Sequence, residues 1–315
     1  MKVYFHIGYP RTGSTFLQKK IFETHYGINY LGPKYHNSNV KPFLTNQIMN
    51  LIDKLDPNKE LNIKISNEIF KNLKLSEKKI NLISSEKFLT FENDYFKNLI
   101  KLKKLLYLQN RDISFKVFFV VRNQFDVLKS YYFHAFSEIN KNFKIENFNE
   151  LINVSQSNRS DYIKEFIFFN NYLYDKLYDK LKINFDKENI GIFFYEDLER
   201  NKNNFLKKVF QFLDIESQTK IETIDEDKIN KLQFSENKVL VNHVHYPKLY
   251  KYYNKLNLKI ITPNFIKNFL KKKITKEINL NINNSDIIKV KQFYNKSNKD
   301  FENITGLKLP RNYFT

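Results

Sequence analysis

Short, mostly apolar runs alternate along the chain with longer segments whose apolar residues recur every three or four positions. Runs that are apolar throughout are typical of parallel strands, because such strands are covered on both faces and neither face meets water. Four runs come close to this description, at residues 2–7, 79–84, 115–121 and 190–195, with few polar residues in each. The pattern therefore predicts an α/β fold, a three-layer sandwich with a central parallel sheet.

The segments between these runs have helical periodicity. We predict helices over residues 14–26, 41–55, 64–75, 94–109, 124–136, 161–181, 203–213 and 285–305. The alternation of predicted strands and helices ends at about residue 215, since 224–254 is polar and 262–278 is basic and amphipathic. No Pro/Gly-rich linker precedes this part of the chain. We therefore predict one domain over 1–315, with 215–285 as an irregular appendage.

The composition excludes several classes of protein. Because the 315 residues include no cysteine, the chain can have no disulfide scaffold, thiolate zinc site, iron–sulfur cluster or cysteine nucleophile. No run approaches the roughly 18 consecutive apolar residues that a membrane-spanning helix needs. The N-terminal segment lacks the long apolar region of a secretory signal. We therefore expect a cytoplasmic protein.

Basic residues outnumber acidic ones, with 53 Lys and Arg against 34 Asp and Glu and a formal net charge of +19. Such an excess favours an anionic partner, which can be a nucleic acid, a membrane surface or a phosphorylated ligand. It can equally reflect the composition of a chain encoded by an AT-rich genome. The net charge by itself leaves both interpretations open.

The most informative segment is the loop GYPRTGST, between the first predicted strand and the first predicted helix. Gly8, Gly13 and Thr15 have the spacing of the phosphate-binding loop G-x-x-x-x-G-K-[ST], but Ser14 stands in the place of the lysine. Two glycines permit a tight turn, and the following helix directs its positive N-terminal end at the loop. Arg11 supplies the nearest cation. The loop is therefore predicted to hold a terminal phosphate with one attached group, without a metal ion.

At these residues the chain resembles the sulfotransferases that use 3′-phosphoadenosine 5′-phosphosulfate (PAPS). Their loop for the 5′-phosphosulfate has a Pro-Lys-x-Gly-[Ser/Thr]-[Ser/Thr] core, with arginine for lysine in some branches. Here the core is Pro10-Arg11-Thr12-Gly13-Ser14-Thr15. The resemblance implies that Arg11 stabilises the leaving 5′-phosphate during catalysis. It also implies a donor site formed by Arg11, Thr12, Gly13, Ser14 and Thr15.

A second feature of the family is a strand that ends in Arg, followed by seven residues and a Ser on the next helix. Arg122 and Ser130 have this spacing after the third predicted strand. Ligands of open α/β sheets bind outside the carboxyl ends of the strands. The resemblance therefore implies that both side chains bind the 3′-phosphate of the donor. The segment IGIFFYEDL resembles a third feature, for which we expect a structural role at the sheet edge.

The resemblance also implies a catalytic base just after the second predicted strand, where different branches have His or Glu. This chain has Glu86 at that position, and a carboxylate there can take the proton of an acceptor hydroxyl. The alternative is that Glu86 caps a helix that begins at Ser84 or Ser85. The sequence leaves both roles open.

The resemblance implies a PAPS-dependent sulfotransferase that works without a metal ion and transfers a sulfuryl group to a hydroxyl or an amine. From the basic, aromatic tail we expect the acceptor to be a cell-surface glycan or its lipid-linked precursor, and a small lipid or a phenol is the equal alternative. We also expect acceptor contacts from 215–285, peripheral contact with an anionic membrane, and no nucleic-acid partner. The alternatives are a kinase with an atypical phosphate-binding loop and a non-catalytic protein that binds nucleic acid or an anionic surface.

Overall fold

The computed structural model describes residues 1–33, 63–89, 95–143, 145–156, 168–216, 234–235, 238–244, 273–279 and 282–314. Within these residues, five parallel strands form a central sheet in the order β2-β3-β1-β4-β5. Their bounds are Lys2–His6 (β1), Ile28–Leu31 (β2), Ile80–Ser84 (β3), Ser114–Val121 (β4) and Ile190–Phe194 (β5). The predicted α/β class with a central parallel sheet is confirmed.

The helices of the described residues lie before, between and after these strands. They are α1 (Ser14–Phe16), which continues as the π-helix Leu17–Phe22, α2 (Ile63–Leu73), α3 (Tyr95–Gln109), α4 (Gln124–Phe143), α5 (Phe148–Gln156), α6 (Phe168–Asn171), α7 (Tyr174–Lys182), α8 (Tyr195–Arg200), α9 (Lys202–Phe212) and α10 (Asn284–Thr305). None of them is both long enough and apolar enough to cross a membrane.

Alternation of side chains along the central strands separates two hydrophobic cores. Val3 and Phe5 of β1 lie in one core, together with residues of α2, α3, α4, α7 and α10. Tyr4 of β1 and Phe118 of β4 lie in the other core, with residues of the π-helix and α9. Because successive side chains of a strand point to opposite faces, each face of the sheet has its own helical layer. This arrangement is the predicted three-layer sandwich.

The helix predicted over 14–26 is wrong at its C-terminal end. The helical segment ends at Phe22, and the edge strand β2, which the sequence did not reveal, follows after a turn. Within this turn the Thr24 hydroxyl donates to the Lys20 carbonyl over 2.9 Å, and the Gly27 N–H donates to His25 Nδ1 over 3.0 Å. Such local bonds compete with continued helix formation.

The single helix predicted over 161–181 is also wrong. In the described part of this range, α6 and α7 are separated at Tyr172 and Leu173, where Leu173 has φ −79° and ψ 89°. The apolar spacing continues through the break, so the pattern could not reveal it. Helix α5 was not predicted, and α4 extends the predicted 124–136 to Phe143. The helix predicted over 41–55 lies outside the described residues.

Part of the appendage is regular, which corrects the prediction of irregular structure over 215–285. Three strands, Phe234–Ser235 (β6), Lys238–Val244 (β7) and Lys273–Asn279 (β8), form an antiparallel sheet in the order β6-β7-β8. The sequence of β8 was ambiguous because Ile274 and Ile278 are four positions apart. That spacing places two residues on one face of a helix and equally on one face of a strand.

A buried pair of amides ties the C-terminal helix α10 to the beginning of α4. Gln124 Nε2 donates to Asn298 Oδ1 over 2.6 Å, and Asn298 Nδ2 donates to the Tyr313 carbonyl over 3.0 Å. Both amide side chains are buried. Since Gln124 follows the end of β4 by only three residues, the pair supports the carboxyl edge of the sheet.

Replacement of this amide is expected to weaken the fold. Asn298→Ala should lower the free energy of unfolding by about 1–3 kcal/mol, because buried groups of Gln124 and Tyr313 lose their partner. Asn303→Ala, at an exposed position of the same helix, is the control and should change stability by less than about 0.5 kcal/mol. Urea denaturation measures both, and equal stability of the two variants would contradict the role of the amide pair.

Candidate functional site

The segments that follow β1, β3, β4 and β5 lie together at the carboxyl edge of the sheet, because all these strands are parallel. The loop 8–15 follows β1, Glu86 comes shortly after β3, Arg122 directly follows β4, and Tyr195 directly follows β5. This is the edge at which open α/β sheets bind their ligands. The topology therefore gathers the residues that the sequence analysis singled out.

The loop 8–15 contains two residues in the left-handed region of backbone conformation. Arg11 has φ 67° and Gly13 has φ 84°. Glycine adopts this region readily, whereas arginine seldom does. The hydroxyls of Thr12 and Ser14 both donate to the Tyr9 carbonyl, over 2.8 and 3.1 Å. These two bonds close the loop on itself and hold its curvature.

Close packing inside the loop explains its first glycine. A Cβ atom at Gly8 would lie 2.3 Å from Ser14 Oγ, which is too close for any side chain. Among the described residues, the backbone N–H groups of Arg11, Thr12 and Gly13 have no backbone acceptor. Successive N–H groups in a tight loop that leads into a helix are suited to an anion such as a phosphate.

Arg11, Arg122 and Ser130 meet at one point of the edge. Arg122 Nη1 donates to the carbonyl of Arg11 over 2.9 Å, and Arg11 Nε donates to Ser130 Oγ over 2.8 Å. The loop after β1, the end of β4 and helix α4 are thereby joined. Burial and, second, the neighbouring charge of Arg122 lower the pKa of Arg11. Two cations held side by side create a strongly positive site, which favours a ligand with several negative charges.

The guanidinium of Arg122 is held by an aromatic ring that sequence reasoning did not assign to the site. Its central carbon lies 4.0 Å from the centre of the Tyr195 ring, a distance typical of stacking between arginine and an aromatic side chain. The Tyr174 hydroxyl holds the backbone of the same residue, since it accepts from the backbone N–H of Arg122 over 3.1 Å and donates to the backbone carbonyl of Arg122 over 2.5 Å. Tyr195 lies in the segment YEDL, which the sequence analysis singles out for a structural role at the sheet edge but not for contact with Arg122.

Glu196, the next residue of that segment, connects the edge to the C-terminal part of the chain. Its Oε1 accepts from the Asn123 N–H over 2.8 Å, and its Oε2 accepts from the Tyr313 hydroxyl over 3.0 Å. These contacts agree with the structural role expected for this segment. They also fix the backbone immediately after Arg122.

Glu86 begins the short 3₁₀ helix Glu86–Leu89 after β3. Its carboxylate lies close enough to Ser14 and Arg11 for both residues to stabilise its ionised form. Burial raises the pKa of Glu86 to about 7, although the Ser14 bond and the Arg11 charge act in the opposite direction. The site therefore contains a carboxyl group that titrates near neutral pH, directly beside the predicted phosphate-binding loop.

Beneath the loop, a buried polar cluster joins the ends of β1 and β3. His6 Nδ1 lies 2.8 Å from Ser84 Oγ, and Gln18 Nε2 donates to the same oxygen over 2.9 Å. Burial lowers the pKa of His6 to about 3, so the imidazole is neutral at physiological pH. Since Glu86 follows Ser84 by two residues, this cluster helps to fix its position. In the described part of the chain, no group of three or more His, Asp or Glu side chains could hold a metal ion.

The site consists of a tight loop after β1 that contains Arg11 and a second cation, Arg122, at the end of β4, on one edge of a parallel sheet. The sulfotransferase domain family matches residues 4–242, a range that includes every residue of this site. The chain belongs to the sulfotransferase family. The predicted class of enzyme is thereby confirmed, and the kinase and the non-catalytic binding protein are not supported.

Several solved structures to which this chain is similar are named as sulfotransferases. A sulfotransferase from Alicyclobacillus acidocaldarius is 11% identical with a TM-score of 0.51, over 97% of this chain and 96% of that chain. The sulfotransferase domain of the Synechococcus PCC 7002 olefin synthase is 16% identical with a TM-score of 0.40, over 69% and 74%. A mouse sulfotransferase complexed with PAP is 17% identical with a TM-score of 0.37, over 69% and 59%. The first of these likenesses supports the shared fold. No curated protein matches the chain in sequence.

The raised pKa of Glu86 predicts a pH dependence of stability. In the unfolded chain this carboxyl group titrates near its ordinary value of 4.5, and in the folded chain near 7. A group whose pKa is raised by folding stabilises the fold fully below its unfolded pKa, and this contribution is lost as the pH rises through the folded pKa. The native protein should therefore lose stability relative to Glu86→Gln between about pH 4.5 and about pH 7, because Gln mimics the protonated carboxyl group.

Urea denaturation of the native protein and Glu86→Gln at a series of pH values measures this difference. The comparison cancels the titration of all other groups, including His6. A stability difference that stays constant from acidic to alkaline pH would show that Glu86 ionises as an ordinary surface carboxylate.

Proposed function

We propose that this sulfotransferase takes its sulfuryl group from PAPS and transfers it to a hydroxyl acceptor. The observation that carries the proposal is the bond from Arg122 to the Arg11 carbonyl, which joins two cationic sites from different strand ends. PAPS has anionic groups at both the 5′ and the 3′ position. Two adjoining anion sites on one sheet edge suit such a molecule better than one phosphate-binding loop alone.

The loop residues would hold the 5′-phosphosulfate. Thr12 is buried and its hydroxyl is bonded to the Tyr9 carbonyl, so Thr12 and Gly13 would contribute their backbone N–H groups. Thr15 is partly exposed and would contribute its hydroxyl. Arg122 and Ser130 would hold the 3′-phosphate.

Arg11 would serve the reaction with the nitrogen atoms that Ser130 does not engage. Its Nε–H donates to Ser130, and the N–H groups of its two terminal nitrogens remain for the donor, since a guanidinium carries donors on all three nitrogens. The planar group is thereby oriented before the donor binds. Its charge would stabilise the negative charge that develops on the leaving 5′-phosphate oxygen.

PAPS supplies the sulfuryl group, whose sulfur bonds to the acceptor oxygen as its bond to the 5′-phosphate oxygen breaks. Glu86 would remove the proton from the acceptor hydroxyl, a role suited to a carboxylate with a pKa near 7. While Glu86 is ionised, the Ser14 hydroxyl could donate its proton to the carboxylate. Once Glu86 is protonated, the same hydroxyl could accept from the carboxyl group and donate to the Tyr9 carbonyl. Because the Ser14 hydroxyl has a single proton, its bond to the Tyr9 carbonyl would be lost while it donates to ionised Glu86, whereas the Thr12 bond to the same carbonyl would remain.

We extend the proposal to the acceptor, which we infer to be a hydroxyl of a cell-surface glycan or of its lipid-linked precursor. The net charge of +19 and the basic, aromatic segment 262–278 support it, because precursors of this kind are held at anionic membrane surfaces. Transfer of ³⁵S from labelled PAPS can be compared between oligosaccharides and simple phenols. Transfer to phenols alone would contradict the glycan acceptor without affecting the donor.

Arg122→Ala is expected to weaken the binding of 3′-phosphoadenosine 5′-phosphate by about 2–4 kcal/mol, because a charge-assisted contact with the 3′-phosphate is lost. Arg111→Ala is the matched control, since it removes the same charge from an exposed position before β4, at the other end of that strand. Calorimetric titration measures both variants. Equal weakening would mean that only net charge matters, and no binding to the native protein would end the proposal.

Glu86→Gln is expected to leave binding of 3′-phosphoadenosine 5′-phosphate intact and to lower turnover by roughly 10²-fold or more, because the base is removed while its shape is kept. Glu188→Gln, at an exposed position just before β5, is the control. Transfer of ³⁵S from labelled PAPS measures turnover. Full activity of Glu86→Gln would reassign this residue to a structural role at the start of its 3₁₀ helix.

A further inference from the structure

A groove of 530 Å³ opens at the amino edge of the sheet, opposite the site described above. One wall is a single face of α3, where Ile100, Lys103, Lys104 and Tyr107 have helical spacing. The floor is the beginning of β4, and the second wall is the chain between α7 and β5. We call this feature the basal groove. The proposed reaction uses none of its residues.

The groove exists because β4 begins before its neighbour β5. The first residue of β5, Ile190, pairs with Val117, whereas β4 begins at Ser114. The first residues of β4 therefore have no strand beside them on that side, and Phe115 lies at the groove instead. From Ser114 to Val121 the strand rises by roughly 23 Å at about 3.3 Å per residue. The basal groove is thus well separated from Arg122.

The ammonium group of Lys103 lies over two aromatic rings of the groove. It is 4.5 Å from the centre of the Phe185 ring and 5.8 Å from that of Phe115, and it donates to the Asn184 carbonyl. Burial lowers the pKa of Lys103, and the charge of Asp186 acts in the opposite direction. An ammonium has three donors, and one carbonyl satisfies one of them. A partly desolvated cation of this kind gains from an anionic partner.

The mouth of the basal groove combines apolar surface with positive charge. Ile183 is 79% exposed and Tyr107 is 49% exposed, which is high for large hydrophobic side chains. Lys104 adds a second cation, and Asp186 is the acidic residue of the lining. Two ammonium groups against one carboxylate give the groove a net positive charge. Its chemistry is therefore complementary to a molecule that is apolar at one end and anionic at the other.

We propose that the basal groove binds a small amphipathic organic anion, with a hydrocarbon body of about ten carbon atoms and one sulfate, sulfonate or carboxylate group. The anionic group would lie against Lys103 and Lys104, and the body against Ile113, Ile183 and Tyr107. The volume is within the range of small-molecule sites and suits one such molecule better than a peptide or a membrane surface. The proposal does not depend on the identity of the sulfuryl donor.

The probe for this site is 2-naphthalenesulfonate, with 2-naphthol as its neutral counterpart. Ligand-observed NMR titration of the full chain should give one site with a Kd of about 1 mM or tighter, from the efficiency typical of small ligands. The neutral compound should bind at least fivefold more weakly. Lys103→Met keeps an unbranched side chain that is one atom shorter, removes the charge, and should raise the Kd for the sulfonate at least fivefold. Lys97→Met, at an exposed position of α3 that is not part of the groove, should leave it unchanged.

Ile183→Glu provides a second test that does not touch the rings under Lys103. This position is exposed, so the variant should fold normally, and the added carboxylate should weaken sulfonate binding at least fivefold. Binding in the presence of saturating 3′-phosphoadenosine 5′-phosphate separates the basal groove from the donor site. Equal affinity of the native protein, Lys103→Met and Ile183→Glu, or displacement of the sulfonate by the nucleotide, would overturn the proposal.

Discussion

The bond from Arg122 to the Arg11 carbonyl is the contact on which the rest of the site depends. It requires the Arg11 carbonyl to face the end of β4. The tight loop that places this carbonyl has left-handed backbone at Arg11 itself. It also requires the Arg122 guanidinium to stay in place, which the Tyr195 ring ensures from β5. Three strand ends are thereby fixed relative to one another before any ligand arrives. Such preorganisation is what allows charged groups to stabilise a reaction without rearranging.

The electrostatics of this edge result from burial as much as from charge. Glu86 and Arg11 are neighbours of opposite charge, yet burial shifts both of their pKa values towards the neutral form. A fully solvated pair would instead favour the charged forms of both. The carboxyl group is thus poised to exchange a proton near neutral pH, while the arginine remains a cation. His6 illustrates the same effect deeper in the sheet, where burial keeps its imidazole neutral.

The central features could be predicted from the sequence because they depend on local pattern. Strands such as β4 are mostly apolar, and the spacing from Gly8 to Thr15 together with that from Arg122 to Ser130 singled out the two proposed anion sites. Features that depend on tertiary contacts could not be predicted. The break at Leu173 interrupts no pattern, and the stacking of Tyr195 on Arg122 requires β5 to lie beside β4. The sequence likewise gave no sign that Arg11 would hold Ser130, because that bond depends on the path of α4.

The bond between Arg11 and Ser130 limits which substitutions at these two positions the protein can accept independently during evolution. Arginine can hold the serine with one nitrogen and still present two others, whereas lysine has a single terminal nitrogen for both tasks. A change of residue 11 to lysine would therefore leave the hydroxyl of Ser130 free to rotate before the donor binds. Fixing that hydroxyl when the donor binds would then cost conformational entropy. The two positions should behave as an epistatic pair, in which the effect of either substitution depends on the residue present at the other.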